Sequence, residues 1–226
     1  MNTIRKSIVV AAIGAMALVP LAACSSDDSS SSSSGTTSAA ASSSEPAPAA
    51  EVDSLTGVST AVALDPGFTG ALTTLGLTPG VVGPATLADG SITFPITGGN
   101  VKYWTPGTVQ HPYVEGIIHH DGAGLSLSAG GTTVELVNFN IDPGTSKLMG
   151  DVKVNGTVAA PQAVLFDLDG STLKPLSMGP NNTAILQGTQ VKMSADAAGL
   201  LNQTFKTDAV KAGLLVGVAT ITINTK

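Results

Sequence analysis

Short apolar runs divided by hairpin-type turn signals set the tightest limit on how this 226-residue chain folds. Asp89-Gly90, Gly98-Gly99-Asn100, Asp121-Gly122, Gly130-Gly131, Asp142-Pro143-Gly144 and Asn155-Gly156 punctuate its second part. Pairs of this kind reach the positive backbone angles that tight hairpins need. Between them lie strand candidates at 59–65, 91–96, 101–104, 113–120, 124–129, 132–142, 147–154, 158–168, 184–193 and 214–224. Strands at this spacing predict a mostly β fold, an antiparallel sandwich or barrel rather than alternating βα units.

Two short helices interrupt the pattern. Asp65-Pro66-Gly67 has an N-cap residue followed by proline at the first helical position, with Phe68, Leu72 and Leu75 at helical spacing and Gly76 to end the turn. Ser194 is a second N-cap candidate, ahead of Ala197, Leu200, Leu201 and Phe205. A helix of that size serves as a plug at one end of the sheet. In the run 133–142 the apolar face falls on Val134 and Leu136, then switches to Val137, Phe139 and Ile141. A period-two pattern changes phase only through an inserted residue, which predicts a β-bulge near Leu136–Val137.

The first part of the chain has another character. Arg5 and Lys6 precede an uncharged apolar run, Ile8 to Val19, closed by Pro20. That run is shorter than the ~20 residues of a membrane-spanning helix and has the layout of a secretory signal peptide. Leu21-Ala22-Ala23-Cys24 follows, and it resembles the bacterial lipobox. The resemblance implies cleavage before Cys24 and lipidation of the only cysteine in the chain. Two or three acyl chains, at about 0.8 kcal/mol per buried CH₂, hold a protein firmly at a membrane. Residues 25–57 are almost all Ser, Ala, Thr, Pro, Asp and Glu, too polar to offset their chain entropy. The expected organisation is a signal peptide over 1–23, a lipidated Cys24 with a disordered tether over 24–57, and one β-rich domain over 58–226. The expected location is the outer face of the bacterial cell membrane, or an outer membrane where the cell has one. The tether would reach roughly 30 Å from the surface.

Charge narrows the partners. Residues 24–226 carry eight lysines and no arginine against sixteen acidic side chains. That balance argues against nucleic acid and anionic membrane surfaces, and it lacks the residue best suited to bidentate phosphate recognition. One cysteine excludes an internal disulfide framework and any cysteine-rich metal site. A nucleophile elbow, a phosphate-binding loop, a dinucleotide fingerprint and a His-Glu-x-x-His zinc motif are all missing from the sequence. The expectation is a domain that is not an enzyme. Its partners would be the membrane through Cys24 and a cell-wall component, a protein or a small hydrophobic ligand.

Side chains able to do chemistry gather in His111-Pro112-Tyr113-Val114-Glu115-Gly116-Ile117-Ile118-His119-His120-Asp121, which holds all three histidines. On a strand, Tyr113, Glu115, Ile117 and His119 share one face and His120 takes the other. Adjacent histidines therefore cannot bind one metal without a bend, while His119, Glu115 and a folded-back His111 are candidate ligands. The alternative is a polar, solvent-facing strand ending in a turn. Asp167-Leu168-Asp169-Gly170-Ser171 begins like a calcium loop but has Thr172 at the sixth position and Met178 at the twelfth, so an Asp-capped turn is expected there.

Resemblances extend this reading. The signal and tether resemble those of actinobacterial lipoproteins. Leu64-Asp65-Pro66-Gly67-Phe68, Gly122–Leu127, Gly131–Leu136 and Leu165-Phe166-Asp167-Leu168 resemble a group of secreted bacterial β domains. That likeness implies no activity. The stretch Gly116–Gly122 with Leu125 and Leu127 resembles the HtaA-type surface haem-binding domains of corynebacteria. Those domains hold haem through a tyrosine and an assisting histidine on a β scaffold. The resemblance implies Tyr103 or Tyr113, with His119 or His120, as the equivalents. Three readings follow: a binding or envelope-structural module, capture of haem or a transition metal, and a carrier of hydrophobic ligands. A large apolar cavity would favour the last.

Overall fold

The computed structural model describes residues 46–108 and 112–226. The expected signal peptide, Cys24, most of the expected tether and His111 lie outside the described residues.

Turn chemistry and alternation give the strands. In chain order they are β1 (Ala50–Val52), β2 (Val58–Leu64), β3 (Thr78–Val82), β4 (Thr86–Ala88), β5 (Ser91–Pro95), β6 (Gly98–Tyr103) and β7 (Val114–Ala129). There follow β8 (Thr132–Asp142), β9 (Lys147–Val154), β10 (Thr157–Asp169), β11 (Ser177–Gly179), β12 (Thr183–Met193) and β13 (Leu215–Asn224). All pair antiparallel, in the order β1-β6-β7-β8-β9-β10-β12-β13-β2-β5-β4, with β3 on β7 and β11 on β12. The sheet curls into a half-barrel. A mostly β fold with two short helices is thus what the chain adopts.

The caps sit where the local sequence puts them. Asp65 Oδ1 accepts from the Gly67 amide at 2.8 Å and starts α1 (Pro66–Thr74). Ser194 Oγ accepts from the Ala197 amide at 3.0 Å and starts α2 (Ala195–Phe205). Such a cap is worth about 1 kcal/mol. Helix α1 buries Phe68 and Leu72, and α2 buries Ala197, Ala198 and Leu201. Asp169 caps a 3-10 turn, Gly170–Thr172, by accepting from the Ser171 amide at 2.8 Å, as an Asp-capped turn requires.

Three local readings change. Residues 113–120 and 124–129 form one strand, because Asp121–Ala123 bulge out of β7 instead of reversing it. The extra residue of β8 lies at Asn138–Phe139, just past the expected Leu136–Val137, and Asn138 takes a φ of 56°. Ordered chain also begins ahead of Val58: β1 pairs with β6, and Leu55 is buried in the core.

Two contacts explain why the bulges line up. A Cβ on Gly124 would strike the Leu136 carbonyl oxygen and lie 2.7 Å from Val137 Cγ1. One on Gly150 would lie 2.8 Å from Leu165 Cδ1 and 2.9 Å from Phe139 Cδ1. Only glycine lets the strands bend inward here. On the other side of the sheet, side chains satisfy the backbone the bulges release. Asn138 Oδ1 accepts from the Gly122 amide at 2.9 Å, and its Nδ2 donates to Asp151 at 2.8 Å. Asp151 also accepts from the Gln162 amide at 2.9 Å. These hydrogen bonds, led by that from Asn138, hold the Asp151 carboxyl below the usual carboxylate range.

Candidate functional site

The curl leaves space at one end of the sheet. A cavity of about 550 Å³ is lined by residues of β1, β2, β5 to β10, β12 and β13. Its walls are mainly aliphatic and aromatic, among them Val62, Phe94, Ile118, Phe139, Ile141 and Ile221. The volume falls in the range of about 300–1,000 Å³ typical of small-molecule sites.

Two kinds of polar group interrupt that wall. His120 is buried, 1% exposed, and so is Thr60 on β2. Thr60 Oγ1 lies 3.1 Å from His120 Nε2, and His120 Nδ1 lies 2.8 Å from the Pro95 carbonyl oxygen. A carbonyl oxygen only accepts, so Nδ1 carries the proton. Burial lowers the His120 pKa from its ordinary 6.5, which keeps the ring neutral and leaves Nε2 to accept from Thr60. His120 also meets Phe94 edge-on at 6.2 Å, and Phe94 meets Phe139 at 5.2 Å in the same manner. The second kind is phenolic. Tyr103 and Tyr113 both line the cavity. Tyr103 is nearly buried, and its hydroxyl accepts from the Leu176 amide at 3.4 Å. Trp104 beside it donates from Nε1 to the Pro46 carbonyl at 2.8 Å, tying the segment before β1 to the end of β6.

The candidate residues therefore separate. Tyr103, Tyr113 and His120 reach the same cavity, while Glu115 and His119 are absent from its lining. Alternation along β7 is the reason, since Ile118 and His120 face inward and Glu115, Ile117 and His119 do not. His119 Nδ1 instead pairs with Asn140 Oδ1, and Asn140 Nδ2 donates to Gln162 Oε1 at 2.6 Å, continuing the polar network across the bulges. Glu115 stands opposite Lys102 in the β6–β7 register. Among the described residues no three His, Cys, Asp or Glu side chains group to hold a metal ion. Thr60 was not singled out in the sequence. Nothing in its local pattern distinguishes it, because its role comes from pairing with a residue 60 positions away.

No family model matches the sequence, and no curated protein matches it. Solved structures do. The C-terminal domain of HtaA from Corynebacterium glutamicum superposes with a TM-score of 0.51 at 14% identity, covering 75% of this chain and 97% of that domain. The haem-binding protein HtaB from the same organism gives 0.45 at 12% identity, covering 78% of this chain and 96% of that one. This chain shares the fold of the HtaA domain. At that identity the likeness speaks of backbone, not of ligand.

Proposed function

We propose that this protein is an exported, lipid-anchored module whose β domain binds a hydrophobic small molecule in the cavity at the end of the half-barrel. One observation carries the reading: a space of about 550 Å³, walled by apolar side chains from ten strands, with a single buried His–Thr pair set into it. A purely structural domain gains nothing from such a space, because an unfilled apolar cavity costs stability. Lipidation at Cys24 and the tether would hold this domain outside the cell membrane. Titration of the purified protein with N-phenylnaphthylamine, a neutral apolar fluorophore, is the test. Saturable enhancement that disappears in Ala219→Phe, which fills the cavity, supports the reading. Absence of enhancement in the wild type overturns it.

Haem is the second reading, favoured by Tyr103, Tyr113 and His120 lying on one cavity. Tyrosine is an established axial ligand of haem iron, and the apolar walls suit a porphyrin. In that case a Tyr103 or Tyr113 phenol would hold the iron. His120 would need to release Thr60 before it assists. Among the described lining residues Glu51 is the one charged side chain, so these residues offer no cation to the haem carboxylates. Hemin added to the protein should give a Soret shift that weakens in Tyr113→Phe or Tyr103→Phe. No shift disposes of haem and leaves the first reading standing.

A further inference from the structure

The hydrogen-bond directions at the His–Thr pair say what kind of molecule the cavity accepts, given the binding reading above. His120 Nδ1–H is committed to the Pro95 carbonyl, and Thr60 donates its only proton to His120 Nε2. What Thr60 still has is acceptor capacity on Oγ1. The buried pair therefore presents a lone pair and no donor. Elsewhere the lining's polar side chains are the hydroxyls of Ser146, Ser171, Thr189 and Thr225 and the two phenols, beside Glu51. Among the described residues no lysine lines the cavity, and Lys102 is held by Glu51 at 2.7 Å.

A carboxylate brought against the His–Thr pair would lose its hydration and meet a lone pair in place of a donor, with no lysine among the described lining residues to balance its charge, a large cost in an apolar setting. A ligand hydroxyl has the donor that the His–Thr pair lacks and carries no charge. We propose that the cavity selects an uncharged apolar molecule ending in a hydroxyl group, which donates to Thr60 Oγ1, and that it discriminates against carboxylate-ended molecules of the same length. The chemical class is that of long-chain alcohols, prenols and sterols.

Competition against bound N-phenylnaphthylamine tests this, with decanol and decanoate as matched ligands at about pH 8, where a carboxyl group is ionised. Decanol should displace the probe at a concentration at least about tenfold lower, a difference equivalent to one well-placed hydrogen bond. Equal or tighter binding of decanoate overturns the proposal. The double variant Thr60→Val with His120→Phe replaces both partners by apolar groups and leaves no buried polar orphan. Decanol affinity should fall several-fold in it while the probe still binds, and Thr60→Ser should keep wild-type affinity. Unchanged decanol affinity in the double variant also overturns the proposal. Should that variant fail to fold, the wild-type ratio decides. Failure of the probe itself to bind would instead strike the cavity reading on which this one rests.

Discussion

Strand β7 borders β6 and the cavity over Val114–His120, and β3 and a filled core over Gly124–Ala129, with β8 paired to it from Ile118 to Ala129. In the filled part Leu125 and Leu127 pair with Leu136 and Val134, and all four are buried. In the open part Ile118 and His120 pair with Ile141 and Phe139, and all four line the cavity. One hairpin thus contributes both to the packed core and to the cavity wall. The bulge at Asp121–Ala123 makes that division workable. It re-aims the strand between the two parts, so the spacing that fills one end need not fill the other. Rigid core adjacent to the site also holds His120 and Phe139 in place without a ligand.

The contrast breaks most readily by truncation. Leu136→Ala removes a side chain packed on all sides and should cost about 4 kcal/mol. Ile141→Ala opens onto space that already exists, so its neighbours lose fewer contacts, and about 2 kcal/mol is expected. Urea denaturation of the two variants measures the difference. Probe affinity should change only in Ile141→Ala. A larger loss of stability for Ile141→Ala would mean that the open part is as tightly packed as the other, and the cavity would lose its physical basis.

A second variant attacks the boundary. Gly124→Ala puts a methyl group against Leu136 backbone, which cannot retreat as a flexible side chain does. Overpacking of this kind costs about 2 kcal/mol. The strain should spread across β7 into His120, so probe affinity falls as well as stability. Gly90→Ala is the control at a glycine whose Cβ would meet nothing within 4 Å, although its φ of 73° brings some strain of its own. A Gly124→Ala protein as stable as wild type would show that the strands can separate at the bulge.

What the sequence disclosed and what it withheld divide along the same line. Hairpins at Gly130-Gly131, Asp142-Pro143-Gly144 and Asn155-Gly156 are local events, written in adjacent residues, and the caps at Asp65 and Ser194 are equally local. Asp121-Gly122 has the same composition as a true turn, yet here it serves a bulge, because β3 and β8 hold the chain on both sides of Gly124. Strands β3 and β4 carry little alternation of their own and exist through their partners β7 and β5. For the site, alternation on β7 correctly placed His119 and His120 on opposite faces. It could not say which face would be inside. That depends on the direction in which the whole thirteen-stranded sheet curls. Thr60 was invisible for the same reason.

The smallest expected effect concerns His120 alone. Its pKa in the folded protein lies below 6.5, chiefly through burial and with a lesser contribution from His119, against raising effects of the Pro95 carbonyl and Asp121. The unfolded chain therefore binds more protons between that lowered value and 6.5, and stability rises with pH across this window. Above 6.5 the contribution of neutral His120 is complete, and it is lost as the pH falls toward the folded value. Asp151 and Asp169 also have lowered pKa values, so their contributions are lost only near and below 3.8, the ordinary carboxylate value, well outside the window. Thermal unfolding between about pH 7.5 and 5 reads the effect, since histidine is the side chain that ordinarily titrates there. The wild type should lose stability steadily on acidification, and His120→Phe should remove that slope. Charging His120 would also take its Nε2 lone pair from Thr60, so acid should loosen the open part of β7 and spare the filled part. Amide hydrogen exchange at Ile118 and Leu127 separates the two: protection should fall at the first and persist at the second. Equal loss at both would mean that the bulge does not divide the strand, and that β7 opens as one unit.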